Sequence, residues 1–390
     1  MDKILFNDRL TVKTIKDGKI TEYNCDFYQN YIDAEIRLRN SEEWKHTGTG
    51  ARFIGDERPT RDDKNTIAYF NSLSFGKNEN EVIYSVTIDG LSGIMRKDLN
   101  ADKDSESHII HSRKLSFNGS DLNADDTSFV TCVSENYYNS HIALFNINNN
   151  DYATITYGDC YDFDASYSMQ NDNHILFATK GVGRNADGEF VCYSPSSIME
   201  YDVLSGDINE LISGKDSYCK PKDDENGNLF YIKRPETSER KTSVWKILLD
   251  IILIPWRILE AVYRYLEYFT LIYTGKKFVK NSSNPAKPQD KTEKEILIEG
   301  NLINAENEYK NNLRHKDAFA GFAPRSWELI KRSSDGTEST LAKGVIDYCF
   351  TSDGELIYTN GKHVLLINRD GKTQKLADTS LCTKVACHAE

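Results

Sequence analysis

His108 and His111 stand three residues apart in the run Ser107–Lys114, a spacing that invites a shared metal ion. The run reads as a strand, however, where positions i and i+3 point to opposite faces, so no common ion is expected. The eight cysteines are Cys25, Cys132, Cys160, Cys192, Cys219, Cys349, Cys382 and Cys387, and they contain no C-x-x-C pair. Most fall in or beside predicted strands, which predicts buried free thiols and no structural metal. The adjacent Cys387 and His388 read as packing residues of a last strand. Gly48, Gly50 and Gly55 lie in a glycine-bearing loop, but without G-x-G-x-x-G spacing or a strand–helix context they predict no nucleotide site. No G-x-S-x-G is present, so a hydrolase elbow is not expected. No cofactor is predicted.

A different chemistry is written in Val244–Tyr273. Its charges (Lys246, Asp250, Arg257, Glu260, Arg264 and Glu267) recur three, four or seven apart and form one narrow stripe along a helix. Trp245, Leu248, Ile252, Trp256, Leu259, Val262, Tyr263, Leu266 and Phe269 give the rest of its surface a wide apolar face, and Pro255 should kink or restart it. Lys276, Lys277 and Lys280 follow in a polar tether. Such a helix suits a membrane interface, with Trp and Tyr near the headgroups and lysines toward anionic lipid. Two other placements remain open, against a partner or a second copy, and against the protein's own body. A single bilayer span is excluded, because strands of one repeat precede and follow the segment and both of its ends must return to one side. Charges inside the run would also cost about 2.5–3.5 kcal/mol for a central Arg or Asp.

The strands that must carry these residues repeat about every 40–50 residues, the mark of radial repetition. The fullest copy runs from Val345 to Thr379, with turns at Asp353-Gly354, Asn360-Gly361 and Asp370-Gly371. Looser copies begin near Ser74, Ser116, Ser168 and Lys222, each a strand, a polar turn, and a strand rich in β-branched and aromatic residues. Residues 3–24 supply three further strands without an inner one, and Lys384–Ala389 is a leftover strand without partners. Joining the two completes a sixth unit. The fold class expected is all-β: a six-bladed β-propeller over residues 1–390, closed by N- and C-terminal strands in one blade.

This pattern resembles six-bladed propellers of the TolB-like or WD40-like repeat type. The resemblance implies a central channel and carries over no catalytic residue. By position on inner strands, Asp164, Asp347 and Glu390 are the acids such a channel would offer. Ser333–Thr340 resembles part of a sialidase Asp-box but lacks its terminal Trp, so a hairpin turn is expected there.

Two helical insertions break the repeat. The first, 25–66, opens with a helix over Phe27–Trp44. The second, 238–323, holds the amphipathic segment, the tether and another helix within Glu293–Lys316, and interrupts the fifth blade unit between its second and third strands. In an antiparallel blade the second-to-third connection and the exit of the fourth strand emerge at one end, so both insertions should project from one face. Loops on a rigid scaffold are where binding concentrates.

A net charge of −12 argues against nucleic acid as a partner. The N-terminus lacks a basic region followed by an apolar run, which predicts a cytoplasmic protein, peripheral on a membrane. The function expected is a non-enzymatic scaffold that binds a protein partner through the elaborated face and is attached to a membrane surface by the in-plane helix. The alternative is a propeller-channel hydrolase or lactonase with a metal at the channel mouth.

Overall fold

The structure, a computed structural model, describes residues 2–46, 68–101, 105–123, 127–135, 138–147, 151–236, 295–298, 301–315 and 317–388. Short runs of apolar and polar residues, broken by Asp-Gly and Asn-Gly turns, fold into six antiparallel blade sheets and one separate two-stranded hairpin among the described residues. At Asp17-Gly18 and Asp89-Gly90 both turn residues have positive φ, the geometry that joins right-twisted strands in two-residue hairpins.

Blade 1 combines β1 (Ile4–Asp8), β2 (Thr11–Lys16) and β3 (Lys19–Asn24) with β27 (Val385–Cys387) from the far end of the chain. Blade 2 is β4 (Ala68–Phe75), β5 (Glu81–Ile88), β6 (Leu91–Asp98) and β7 (Glu106–Ser112). Blade 3 is β8 (Ser116–Leu122), β9 (Ser128–Ser134), β10 (His141–Asn146) and β11 (Tyr152–Thr154). Blade 4 is β12 (Cys160–Tyr167), β13 (His174–Arg184), β15 (Ser197–Asp202) and β16 (Ile208–Ile212), with β14 (Phe190–Tyr193) paired to the overhanging end of β13. Blade 5 is β17 (Ser217–Asp223), β18 (Leu229–Arg234), β21 (Glu328–Arg332) and β22 (Glu338–Lys343). Blade 6 is β23 (Asp347–Phe350), β24 (Leu356–Thr359), β25 (His363–Ile367) and β26 (Thr373–Asp378).

The six-bladed ring is closed as its sequence predicts. Ile4, Leu5 and Phe6 pair antiparallel with Cys387, Ala386 and Val385. Asn7 reinforces the seam, its Oδ1 accepting from the Thr383 and Lys384 amides at 2.9 and 2.8 Å. One expectation fails here. Cys349 and Cys387, predicted as free thiols, form a disulfide between the inner strands β23 and β27. Their Cα atoms are 6.0 Å apart, within disulfide reach, although 38 residues separate them in the chain. Among the described residues the other six cysteines form no disulfide, with Cys192 exposed and Cys160 half-buried.

Each seam between neighbouring blades holds its own apolar cluster. Leu5 and Val12 meet Val82, Tyr84 and Val86 between blades 1 and 2. Phe117, Phe129 and Phe145 meet Ile83 and Ile94 between blades 2 and 3, and Val130 and Ile142 meet Ile175 and Phe177 between blades 3 and 4. Ile198 meets Tyr231 and Ile330 across the next seam, and Phe230 and Trp327 join Tyr348 and Leu356 across the fifth. The ring closes where Ile4, Phe6 and Val385 pack on Ile357 and Val364. Burying a Phe side chain here is worth about 1.5–3 kcal/mol relative to leaving it in water.

Among the described residues two helices leave the blades. α1 (Asp26–His46) follows β3, and its orphan first-turn donors are met by a buried carboxylate: the Asp26 and Phe27 amides donate to Glu106 of β7 at 3.0 and 2.7 Å. Tyr84 also donates to Glu106, and Phe27 packs edge-on against His108. The Lys97 ammonium lies 3.8 Å from Glu106 while donating to the Asn24 carbonyl at 2.7 Å and pairing with Asp26. Between β18 and β21 the chain forms a hairpin, β19 (Glu295–Ile298) with β20 (Asn301–Asn304), and then α2 (Ala305–Arg314). The helix expected within Glu293–Lys316 is therefore helical only in its second half. Ile296, Leu297 and Ile298 favour a strand, Gly300 disfavours a helix, and Asn304 caps α2 by accepting from the Asn307 amide at 3.0 Å. The exit of β3, the β13–β14 extension and the β18–β21 connection all emerge at one end of the antiparallel blades.

Phe6 lies at 1% exposure in the closing blade. Phe6→Ala should destabilise the protein by about 3–5 kcal/mol in chemical denaturation, and deleting residues 381–390 should cost more by baring the edge of β1. A deletion variant unfolding at the wild-type midpoint would show that β27 does not close the ring.

Candidate functional site

The inner strands carry a recurrent irregularity. Pairing slips between Asn118 and Asp121 in β8, between Phe163 and Ser166 in β12, and between Cys219 and Lys222 in β17. At each bulge one residue turns left-handed: Gly119, Asp164 and Lys220. A bulge re-aims the side chains on either side of it. Here Lys220 Nζ is set 3.1 Å from Asp164 Oδ1 and 3.6 Å from Asp347 Oδ1, so one buried ammonium spans blades 4, 5 and 6. Asp347 also accepts from the Val385 amide of the closing strand at 3.0 Å, and Tyr348 donates to the Lys220 carbonyl at 2.7 Å. Asp164 and Asp347, two of the acids the sequence assigns to a channel, are thus brought together and both engaged by a lysine. Glu390 lies outside the described residues.

On the elaborated face a second group forms where blades 3 and 4 meet. A parallel bridge joins Ser140 to Tyr161: the Ser140 amide donates to the Cys160 carbonyl at 3.1 Å and the Asp162 amide to the Ser140 carbonyl at 2.9 Å. Cys160 and Asp162, two apart on an extended strand, therefore share a side, and His141 follows Ser140 on the neighbouring strand β10. His141 Nδ1 lies 3.6 Å from Cys160 Sγ and 4.0 Å from Asp162 Oδ2. Burial, followed by the Asp162 charge, pushes the Cys160 thiol up to about 12. The Asp162 carboxylate is buried and held by Thr156 and Thr179, each hydroxyl donating at 2.6 Å.

Aromatic rings crowd the same rim. Tyr138 stacks on Phe190 at 4.5 Å, Phe190 tilts against Tyr193 at 4.8 Å, and Tyr193 meets Tyr161 edge-on. The Lys180 ammonium lies 5.1 Å from the Phe163 ring centre and 5.9 Å from that of Tyr193, and its burial lowers its pKa. Tyr157 stands 76% exposed beside His141, with Val191 at 60%, Tyr138 at 44% and Tyr69 at 43%.

The other predicted residues separate into those described and those not. Trp245, Leu248, Ile252, Trp256, Leu259, Val262, Tyr263, Leu266, Phe269, Lys276, Lys277 and Lys280 lie outside the described residues, as do Gly48, Gly50 and Gly55. His108 and His111 were expected on opposite faces, and the structure corrects this. Pairing with β6 slips at Ile109, the extra residue changes the parity of β7, and the two Nδ1 atoms come within 3.3 Å. No acid or thiol joins them as a third ligand among the described residues. His388 packs on Phe75 at 5.4 Å, as expected of a packing residue. The Ser333–Thr340 run turns a hairpin, with the Gly336 amide donating to the Ser333 carbonyl at 2.8 Å. Lys220, the donor trio on blades 3 and 4 and the ring cluster around Phe190 were missed. The only sequence signal was the Tyr161–Asp164 run, whose two acids sit in an otherwise apolar strand pattern.

Among solved structures the chain is similar to TolB from Acinetobacter baumannii, at 9% identity and a TM-score of 0.53, with all of this chain and 67% of that one covered. The fold is that of a TolB-like propeller. A structure of a nidogen/laminin complex aligns with 99% of this chain and 98% of its own at 8% identity and a TM-score of 0.47, and the Pyrococcus horikoshii acylaminoacyl peptidase aligns with 79% of this chain and 39% of its own at 11% identity and 0.37. At these identities the likeness is one of fold alone. No protein-family model matches the chain, and no curated protein matches its sequence.

Removing the axial cation leaves two buried carboxylates facing each other. Lys220→Met should therefore destabilise by about 3–5 kcal/mol. Adding Asp164→Asn and Asp347→Asn should recover most of that loss in chemical denaturation, since Asn tolerates the left-handed backbone at 164. An unchanged midpoint in the single variant would show that the ion pairs carry no net weight.

Proposed function

We propose that this propeller is a binding scaffold that docks a protein partner on its elaborated face, at the aromatic rim of blades 3 and 4. The observation that carries the reading is the composition of that rim. Of the four exposed aromatics among the large exposed hydrophobics described, Tyr138 and Tyr157 lie there, Tyr69 lies at the start of β4 at the same end of blade 2, and Tyr152 lies on an outer strand. Aromatic side chains with a polar tip are what protein interfaces enrich and where their binding energy concentrates. The hydrolase alternative asks for free acids around the axis, and Asp164 and Asp347 are occupied by Lys220.

A photoreactive residue in place of Tyr157, in cells that make the protein, should give one dominant crosslinked protein. The same residue in place of Met169, at the other end of blade 4, should not. The adduct should fall at least tenfold when Tyr138 and Phe190 are both changed to Ser. Equal labelling from both positions, or labelling indifferent to those changes, would overturn the rim as the docking site.

The same reading places the scaffold in the cytoplasm, held on a membrane by the amphipathic segment. Its support is the sequence: one polar stripe, a wide apolar face with Trp245 and Trp256, and lysines beyond it in a chain of net charge −12. Replacing 240–293 with a short Gly/Ser linker should leave the propeller folded, because loop length costs little. It should also abolish co-sedimentation with vesicles containing phosphatidylserine. Equal sedimentation of both proteins, or none by either, would remove the membrane from the proposal.

A further inference from the structure

We propose that His141, Cys160 and Asp162 form a binding site for a divalent ion of the Zn²⁺ class at the seam of blades 3 and 4. The three donors are of the types Zn²⁺ takes, one imidazole nitrogen, one sulfur and one carboxylate oxygen. A tetrahedral ion about 2.3 Å from sulfur and about 2.0–2.1 Å from nitrogen holds those atoms about 3.5 Å apart, and Cys160 Sγ and His141 Nδ1 are 3.6 Å apart. The nitrogen and carboxylate oxygen would stand about 3.4 Å apart around such an ion. They are 4.0 Å apart here, within the reach of a small side-chain adjustment.

Pre-organisation distinguishes this trio from a chance meeting of polar side chains. The backbones of Cys160 and Asp162 are both tied to Ser140, next to His141, by the parallel bridge. Outer groups orient the acid: the carboxylate takes one hydroxyl bond on each oxygen, Thr179 on Oδ1 and Thr156 on Oδ2, which is how metal-bound carboxylates are steadied. When a dication binds, the sulfur bonds the ion, the S–H bond breaks, and the proton passes to solvent.

Three protein ligands leave a fourth position for water. His141 keeps 25% side-chain exposure and Tyr157 stands beside it on the rim, so that position opens toward the elaborated face. The ion would bind β10 of blade 3 to β12 of blade 4. The site rests on these residues alone, whether or not the rim binds a protein.

The test uses the full chain, metal-stripped and free of any affinity tag, in a Cys192→Ser background that removes the exposed thiol. Titrated Co²⁺ should bind one to one and develop the near-ultraviolet absorption of a thiolate–cobalt bond, and Zn²⁺ should displace it stoichiometrically. Cys160→Ser should abolish that absorption, and His141→Ala should weaken Zn²⁺ at least 100-fold. Thr179→Val, which touches no ion, should weaken it about 10–100-fold. All variants are compared only where circular dichroism shows a native sheet spectrum. Failure of the folded parent to bind one equivalent, or a thiolate band that survives Cys160→Ser, would overturn the site.

Discussion

The ladder between β1 and β27 is the constraint on which the rest of this protein depends. A ring of separate sheets stays closed only if the first and last stretches of the chain are held together, here within one blade. Here three residue pairs, Ile4 with Cys387 through Phe6 with Val385, do that joining. The apolar seams then bear load in both directions, because each sheet packs on two neighbours. The Asn7 amide contacts, the Cys349–Cys387 disulfide and the Asp347 bond to the Val385 amide converge on this one strand. The Lys220 ammonium links the same region to blades 4 and 5.

A ring held this way is a stiff platform, and its departures from regularity are where chemistry collects. The bulges turn Asp164 and Lys220 into a left-handed backbone that non-glycine residues adopt at a cost. The over-long β13 carries an added strand past the blade and brings Phe190 and Tyr193 to the rim. The parallel bridge at Ser140 breaks the antiparallel rule of every blade and is the contact that gathers three metal-type donors.

Much of this was legible in the residues. Blade count and closure could be read because strands and turns are local signals: period-two alternation, Asp-Gly and Asn-Gly at the bends, and a strand without partners at each end of the repeat. Pairings in space leave no such mark. Cys349 with Cys387, Lys220 with its two aspartates, and His141 with Cys160 and Asp162 come from separate strands, so spacing along the chain says nothing of them. His108 and His111 show the second way legibility fails, since a single bulged residue at Ile109 inverts the face on which every later side chain of β7 emerges. The hairpin at Glu295–Asn304 shows a third: a polar run with helix-forming residues can hold a strand pair when its apolar positions cluster.

The pairing of β1 with β27 also has a consequence for biosynthesis. Asn7 and Lys384, which bond across the seam, are 377 residues apart, so the N-terminal strands emerge from the ribosome long before their partner exists. Throughout that interval β1 is an open edge carrying Ile4, Leu5 and Phe6, which the finished ring buries at 0–1% exposure. Pairing so remote in sequence is slow, and an unpaired apolar edge invites strands from other chains. The nascent protein is therefore most exposed to misassembly during translation, and its demand on chaperones should end abruptly once the residues around Val385 clear the exit tunnel.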